Sequence, residues 1–147
     1  PQNTADMVAD GSATVYPAAH FCNNLTVGGY SDWYMPANNE LEVQYYNLKP
    51  TTTSNYNGLN SGVNTNAVPS RGSAYTAGTP AQTSATAFQT GNSEAFDGTG
   101  GSGRYWSSTD DTVSTPRARF QYFTNGYQRT QFKSSTFFVR AIRRVAV

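Results

Sequence analysis

The sequence predicts an α+β domain, two helices leading into a small antiparallel sheet, on three observations. Apolar residues recur twice at helical spacing in the first third of the chain. Apolar and polar residues alternate after residue 104, and an Asn-Gly pair separates the last two alternating runs. At 147 residues the chain has the length of one domain, enough to bury roughly 70% of its unfolded surface.

Residues 1–13 read as a polar lead-in from a longer chain, with a short strand over residues 5–8. From Thr14 onward, Val15, Ala18, Ala19, Cys22 and Leu25 fall on one helical face. Pro17 fits only the first turn of that helix, where no N–H is needed. Cys22 lies on the apolar stripe and is expected as a small buried hydrophobe. His20, the one histidine, lies off it and has no second ligand or nucleophile nearby in sequence.

The stretch Gly28-Gly29-Tyr30-Ser31-Asp32-Trp33-Tyr34-Met35-Pro36 is the expected hub. Two glycines allow a bend with positive φ. Trp33 and Met35 supply apolar bulk, and Pro36 keeps Met35 out of helical geometry. A second helix follows over residues 38–48, with Leu41, Tyr45 and Leu48 on one face and Pro50 as its stop. Asn38 can cap it, and Glu40 suits the positive end of its dipole.

Residues 50–103 form a loop-rich insertion dominated by Thr, Ser, Asn and Gly. A structureless loop of that length is uncommon inside a domain. Short strands or turns are therefore expected, pinned by Tyr56, Val63, Val68, Tyr75, Phe88 and Phe96. The glycine-rich residues 98–103 lack the lysine and the strand–helix frame of a phosphate loop, and read as a flexible connector.

Beyond the connector, Tyr105-Trp106-Ser107-Ser108-Thr109 reads as an aromatic strand. Residues 117–123 alternate, with Ala118, Phe120 and Tyr122 on one face and Arg117, Arg119 and Gln121 on the other. Thr124-Asn125-Gly126-Tyr127 predicts a type I′ hairpin turn, which needs φ > 0 twice. A return strand spans residues 127–132, and a last one is expected over residues 137–145.

Composition narrows the function classes. Charged residues make up 13% of the chain, about half the usual ~25%, and mean hydropathy is −0.58. The polarity is therefore carried by uncharged side chains. Ten tyrosines and eight phenylalanines are too many for a disordered chain. A net charge of +1 gives no case for nucleic acid or an anionic membrane. No apolar run approaches the ~18 residues of a membrane span. With one cysteine there is no internal disulfide and no cysteine-rich metal site. No cofactor is expected.

Four motifs together resemble a known family. Gly29-Tyr30-Ser31-Asp32-Trp33-Tyr34-Met35-Pro36 with Glu40-Leu41 resembles its "GGxSDWRLPTxxEL" signature, and Tyr105-Trp106-Ser107-Ser108-Thr109 its "YWSST". Phe123, Gly126 and Lys133 match its "F…G…K", and Val139-Arg140-Ala141-Ile142-Arg143 its terminal "VRAVR". In this order, over residues 14–145, they are similar to the Lcl C-terminal domain family. Ala37 stands where the family has Thr or Ser, and Tyr34 where it has Arg.

The resemblance implies a C-type-lectin-like fold, two helices packed on a small antiparallel sheet, as in bacteriophage tail proteins and bacterial surface adhesins. The insertion, with Val68-Pro69 and Thr79-Pro80-Ala81-Gln82-Thr83, resembles the tail-fibre versions. The expected function is then non-enzymatic: a receptor-binding, host-attachment domain at a fibre tip on the virion. Its partners would be a host cell-surface glycan or protein, the rest of the fibre or tail, and two further copies in a homotrimer. The alternatives are a structural trimer-capping tip and a bacterial cell-surface adhesin that binds glycans.

By the same analogy, the sheet's exposed face and adjacent loops would bind: Arg117, Arg119, Gln121, Tyr127, Arg129 and Gln131, with Asp110, Asp111 and Asn125 nearby. Arg140, Arg143 and Arg144 are expected to pair with carboxylates such as Asp32 or with loop carbonyls. The Glu-Pro-Asn and Trp-Asn-Asp motifs of calcium-dependent lectins are absent from the sequence. Glu94, Asp97, Asp110 and Asp111 are the default oxygen donors, and no metal is expected. Formylglycine-generating oxidases share a related fold but need paired cysteines. The loop carboxylates Asp97, Asp110 and Asp111 do not form a framed glycosidase pair, so no catalytic residue is expected.

Overall fold

The computed structural model describes residues 1–98, 103–114 and 116–145. Three helices, α1 (Gln2–Asp10), α2 (Pro17–Asn23) and α3 (Asn38–Leu48), precede a three-stranded antiparallel sheet of order β1-β2-β3. The strands are β1 (Arg104–Asp110), β2 (Arg117–Tyr122) and β3 (Gln128–Phe132). The chain is α+β, with one more helix than the sequence predicts. No helix among the described residues is long and apolar enough to cross a membrane.

Residues 5–8, expected as a strand, belong to α1. The helix is anchored by Thr4, whose hydroxyl accepts the Met35 N–H at 3.1 Å, and by Asn3 Nδ2, which donates to Ser108 O at 2.8 Å. Met7 and Val8 are its only large apolar residues, too few to mark a helical period in the sequence. It docks through these hydrogen bonds and through Met7, which packs against the Trp106 core. Pro17 opens α2 as expected, and Ala19 and Cys22 are buried. Burial pushes the Cys22 thiol up to about 12, so it is no nucleophile near neutral pH. Val15, expected on the buried stripe, is exposed because the helix begins after it. His20 Nε2 lies 2.7 Å from Gly11 O.

The hub turns on Gly28 (φ 61) and Gly29 (φ 81), between Val27 and Tyr30, which bridge each other. Two successive positive-φ residues suit the tight turn of a two-residue hairpin. Tyr34, Met35 and Pro36 are buried, but Trp33 is only half-buried, and its indole donates to Tyr30 O at 3.0 Å. Trp33 is therefore not the core plug expected of it. Helix α3 has the expected bounds, yet Asn38 does not cap it. The Asn38 N–H donates to Thr109 Oγ1, and its side-chain oxygen is buried without a protein partner. Glu40 Oε2 instead accepts the Ala37 N–H at 2.9 Å, the half of a capping box that alanine permits.

Successive β1 residues face opposite ways, and each face of the sheet carries its own core. Tyr105 and Phe123 join Leu41, Tyr45, Tyr75 and Phe96 beneath α3, with the Phe96 and Phe123 rings stacked at 3.9 Å. On the other face Trp106 and Phe120 join Cys22 and Met35, and Phe137 stacks on Trp106 at 4.4 Å. A sheet buried on both faces needs long apolar or aromatic runs, and Tyr105-Trp106 supplies one ring to each side.

The last expected strand is reduced to single bridges, Tyr105 with Phe138 and Tyr34 with Ile142. Arginines hold that tail to the hub. Arg143 forks onto Asp32 at 2.8 and 3.2 Å, Arg144 pairs with Glu40 at 2.7 Å, and Arg140 pairs with Glu94 at 2.9 Å. These contacts agree with the structural reading of the three arginines. The Arg143 hydrogen bond holds the Asp32 carboxyl below the usual range. Burial opposes ionisation of Glu40, but the Ala37 N–H, Arg144 and Tyr34 outweigh it and lower its pKa as well.

Carboxyls depressed in the folded state stabilise it above their unfolded values, about 3.9–4.3. That stability is lost as pH falls through the folded values. The melting temperature is therefore expected to fall on acidification below about pH 4. Arg144→Met should flatten the descent, and superimposable pH profiles for the two proteins would count against this clip.

The insertion is ordered by polar contacts and aromatic anchors. Tyr75 and Phe96 are buried as expected, whereas Val68 is 98% exposed and anchors nothing. Lys49, buried at the end of α3, donates to Thr53 O at 2.6 Å and Pro80 O at 3.2 Å. Burial lowers its pKa. Asn55 accepts from the Tyr45 hydroxyl at 2.6 Å and donates to Pro80 O at 2.8 Å. Within the insertion are single bridges, Asn64 with Arg71 and Thr76 with Thr79, and a short 3-10 turn (Thr86–Phe88). Most of the expected connector at residues 98–103 lies outside the described residues.

Candidate functional site

The hairpin that presents the candidate surface differs from the expected turn. Gly126 alone has positive φ (76). Its N–H donates to Tyr122 O at 2.7 Å, and the Tyr122 N–H donates to Tyr127 O at 2.9 Å. Asn125 Oδ1 accepts the Tyr127 N–H at 3.2 Å, an Asx turn in place of a second left-handed residue. The loop is thus two residues longer than a type I′ turn.

The strand register divides the nine predicted residues. Arg129 lies opposite Phe120 and Gln131 opposite Ala118, while Arg119 lies opposite Thr130 and Arg117 opposite Phe132. Arg129 and Gln131 therefore share the Trp106 side of the sheet, and Arg117, Arg119 and Gln121 the other. These five do not share one face: odd-numbered residues of β2 pair with even-numbered residues of β3, so the odd-numbered residues of the two strands point to opposite sides.

Gln121 is also not a surface residue. It is fully buried under the insertion, donating to the Tyr75 hydroxyl and accepting from Gln128 Nε2, each at 3.3 Å. A polar residue in an alternating strand reads as solvent-facing until something covers it, and here the insertion does. Asp110 and Asp111 lie at the far end of β1 from the hairpin. Asp110 pairs with Lys133 at 2.9 Å, and Asp111 Oδ1 accepts the Val113 N–H at 3.1 Å.

What the fold does bring together is an open groove of about 340 Å³ on the Trp106 side, toward the hairpin. Arg104, Arg117, Tyr122, Tyr127, Arg129 and Gln131 are among the residues that line it. Arg104 stands 5.1 Å above the Tyr122 ring and 5.3 Å from that of Phe137. Arg129 donates to the Tyr127 hydroxyl at 2.8 Å, and that oxygen helps hold its charge. Sequence reasoning placed neither Arg104 nor Tyr122 on the candidate surface. Both sit at strand ends, where inside and outside lose meaning.

The chain's arginines divide by partner. Arg71, Arg140, Arg143 and Arg144 each hold a carboxylate. Among the described residues, Arg104, Arg117, Arg119 and Arg129 hold none, and all four belong to the sheet. Arg104 and Arg117 lie over rings, Arg117 over Phe132 at 4.4 Å, and Arg129 meets a hydroxyl. Such guanidinium groups keep their forks free for a planar anion. Among the described residues, no three His, Cys, Asp or Glu side chains converge as a metal site.

No curated protein and no solved structure matches the chain. The sequence model of the Lcl C-terminal domain matches residues 2–143, from the start of α1 through the arginine tail. The chain belongs to the Lcl C-terminal domain family.

Proposed function

We propose that the chain is a non-enzymatic attachment domain that binds a host cell-surface molecule, as the tip of a bacteriophage tail fibre. We read its α+β frame as C-type-lectin-like. The observation that carries the reading is the groove between Arg104 and Arg129, where guanidinium groups without carboxylate partners stand beside Tyr122 and Tyr127. Tyrosine gives rigid contact area at low entropy cost, and arginine takes carboxylate or phosphate in a two-point contact. An acidic cell-surface glycan combines such anions with apolar ring faces.

The test is the fluorescently labelled domain on a panel of bacterial cells. Binding should be saturable, fall as salt screens the guanidinium groups, and block adsorption of the intact particle. In Tyr127→Ala/Arg129→Ala, affinity should drop at least about tenfold, equal to ~1.4 kcal/mol or more. Arg129 is exposed and Tyr127 only partly buried at the edge of the Phe120 core, so its melting temperature should stay within a few degrees. Undiminished binding by that folded variant would remove the groove from the account.

A second reading, a trimer-capping tip, is favoured by exposed Val15 and Phe21 beside an apolar cleft of about 740 Å³ between α2 and residues 133–139. A trimer in solution that labels no cells would favour it. A bacterial surface adhesin would use the same groove.

A further inference from the structure

The groove is braced from behind by the insertion. The Tyr56 ring meets Tyr127 edge-on, with centroids 4.7 Å apart and planes at 82°. The Tyr56 N–H donates to Asn125 O at 2.8 Å. A few residues later, Ser61 Oγ accepts the Gln128 N–H at 3.2 Å, and the Gly62 N–H donates to Gln128 Oε1 at 3.1 Å. Gln128 continues through Gln121 to the Tyr75 hydroxyl, which donates to Glu42 at 2.9 Å. An unbroken series of hydrogen bonds thus ties the start of β3 to a buried carboxylate of α3. Tyr56 itself does not line the groove.

From this geometry, and resting on the attachment reading above, we propose that Tyr56 is a positioning residue for the groove. It holds the Tyr127 ring in one orientation and, through the Tyr127 hydroxyl, the Arg129 fork. Tyr127 stands at the mouth of a hairpin, and its other neighbouring ring, Phe120, lies farther off at 6.4 Å; without Tyr56 its side chain can sample other staggered rotamers. Ordering it would then be deferred to the moment of binding and would weaken binding by about tenfold, mostly through faster dissociation. The insertion, though it lies outside the groove, would set its shape.

The experiment compares Tyr56→Phe, Tyr56→Leu and Tyr56→Gln in the full domain. Each is measured on the bacterial strain that the wild-type domain labels most strongly, beside the Tyr127→Ala/Arg129→Ala variant. Tyr56→Phe keeps the ring edge and should bind within about twofold of wild type. Tyr56→Leu and Tyr56→Gln should dissociate about tenfold faster at an unchanged melting temperature. Two ring-less variants are used so that a folding failure in one leaves the other to decide. Wild-type dissociation in them, with binding lost in the double variant, overturns the positioning role and leaves the attachment reading standing. A loss in Tyr56→Phe equal to that in Tyr56→Leu would assign the effect to the hydroxyl and also overturn it. Full binding by the double variant overturns both.

Discussion

Arg71→Met is expected to lower the unfolding free energy by about 3–5 kcal/mol, because it leaves a buried carboxylate without its counter-ion. Glu42 is fully buried in α3. It accepts from Asn64 Nδ2 at 2.7 Å, from the Tyr75 hydroxyl at 2.9 Å, and from both Arg71 Nε and a terminal Arg71 nitrogen. Arg71 is largely buried as well, lying 4.1 Å above the Tyr46 ring.

The pair pins the insertion to α3, so its loss should loosen Tyr75, Gln121 and the base of the hairpin together. Urea unfolding of Arg71→Met and of Arg71→Met/Glu42→Leu checks this. Removing both charges should cost less than removing the guanidinium alone, since the buried ion is then gone. A change under ~1 kcal/mol in the single variant would mean that water reaches Glu42 and the pair is a surface one.

Gly126→Ala is the second large effect, at about 2–4 kcal/mol. The residue combines positive φ (76) with close approach. A Cβ there would press into the rings of Tyr45 and Tyr75, both buried and hydrogen-bonded. Gly29 provides the control, with φ 81 but no atom within 4 Å of an added Cβ. Gly29→Ala should therefore cost only the backbone strain, about 1 kcal/mol. Thermal melts should show a drop of roughly 5–15 °C for Gly126→Ala and a few degrees for Gly29→Ala. Equal drops would show that conformation alone, and not packing beneath the hairpin, fixes the glycine.

Local rules alone were enough for several elements. The bounds of α3, the proline-led start of α2, the buried Cys22, the double-glycine turn at Gly28 and the three strands all followed from periodicity and turn chemistry. These features depend on neighbours a few residues apart, which is the range over which sequence pattern is informative. That the tail arginines would hold carboxylates such as Asp32 was also legible, and Arg143 is the one that holds it.

Long-range packing decided the rest. Helix α1 has only Met7 and Val8 as large apolar residues, and hydrogen bonds of Asn3 and Thr4 with distant backbone complete its docking. Trp33 looks like a core residue by type, yet Tyr34, Met35 and Trp106 fill the space. Gln121 alternates as a surface residue and is covered by a loop dozens of positions away. The side of the sheet that Arg129 and Gln131 share was set by cross-strand register, which alternation within a single strand does not show. Sequence thus determined which segments could be helix, turn or strand, because backbone preference is local. Only the folded chain decided which polar side chains would meet solvent, because burial depends on what packs above them.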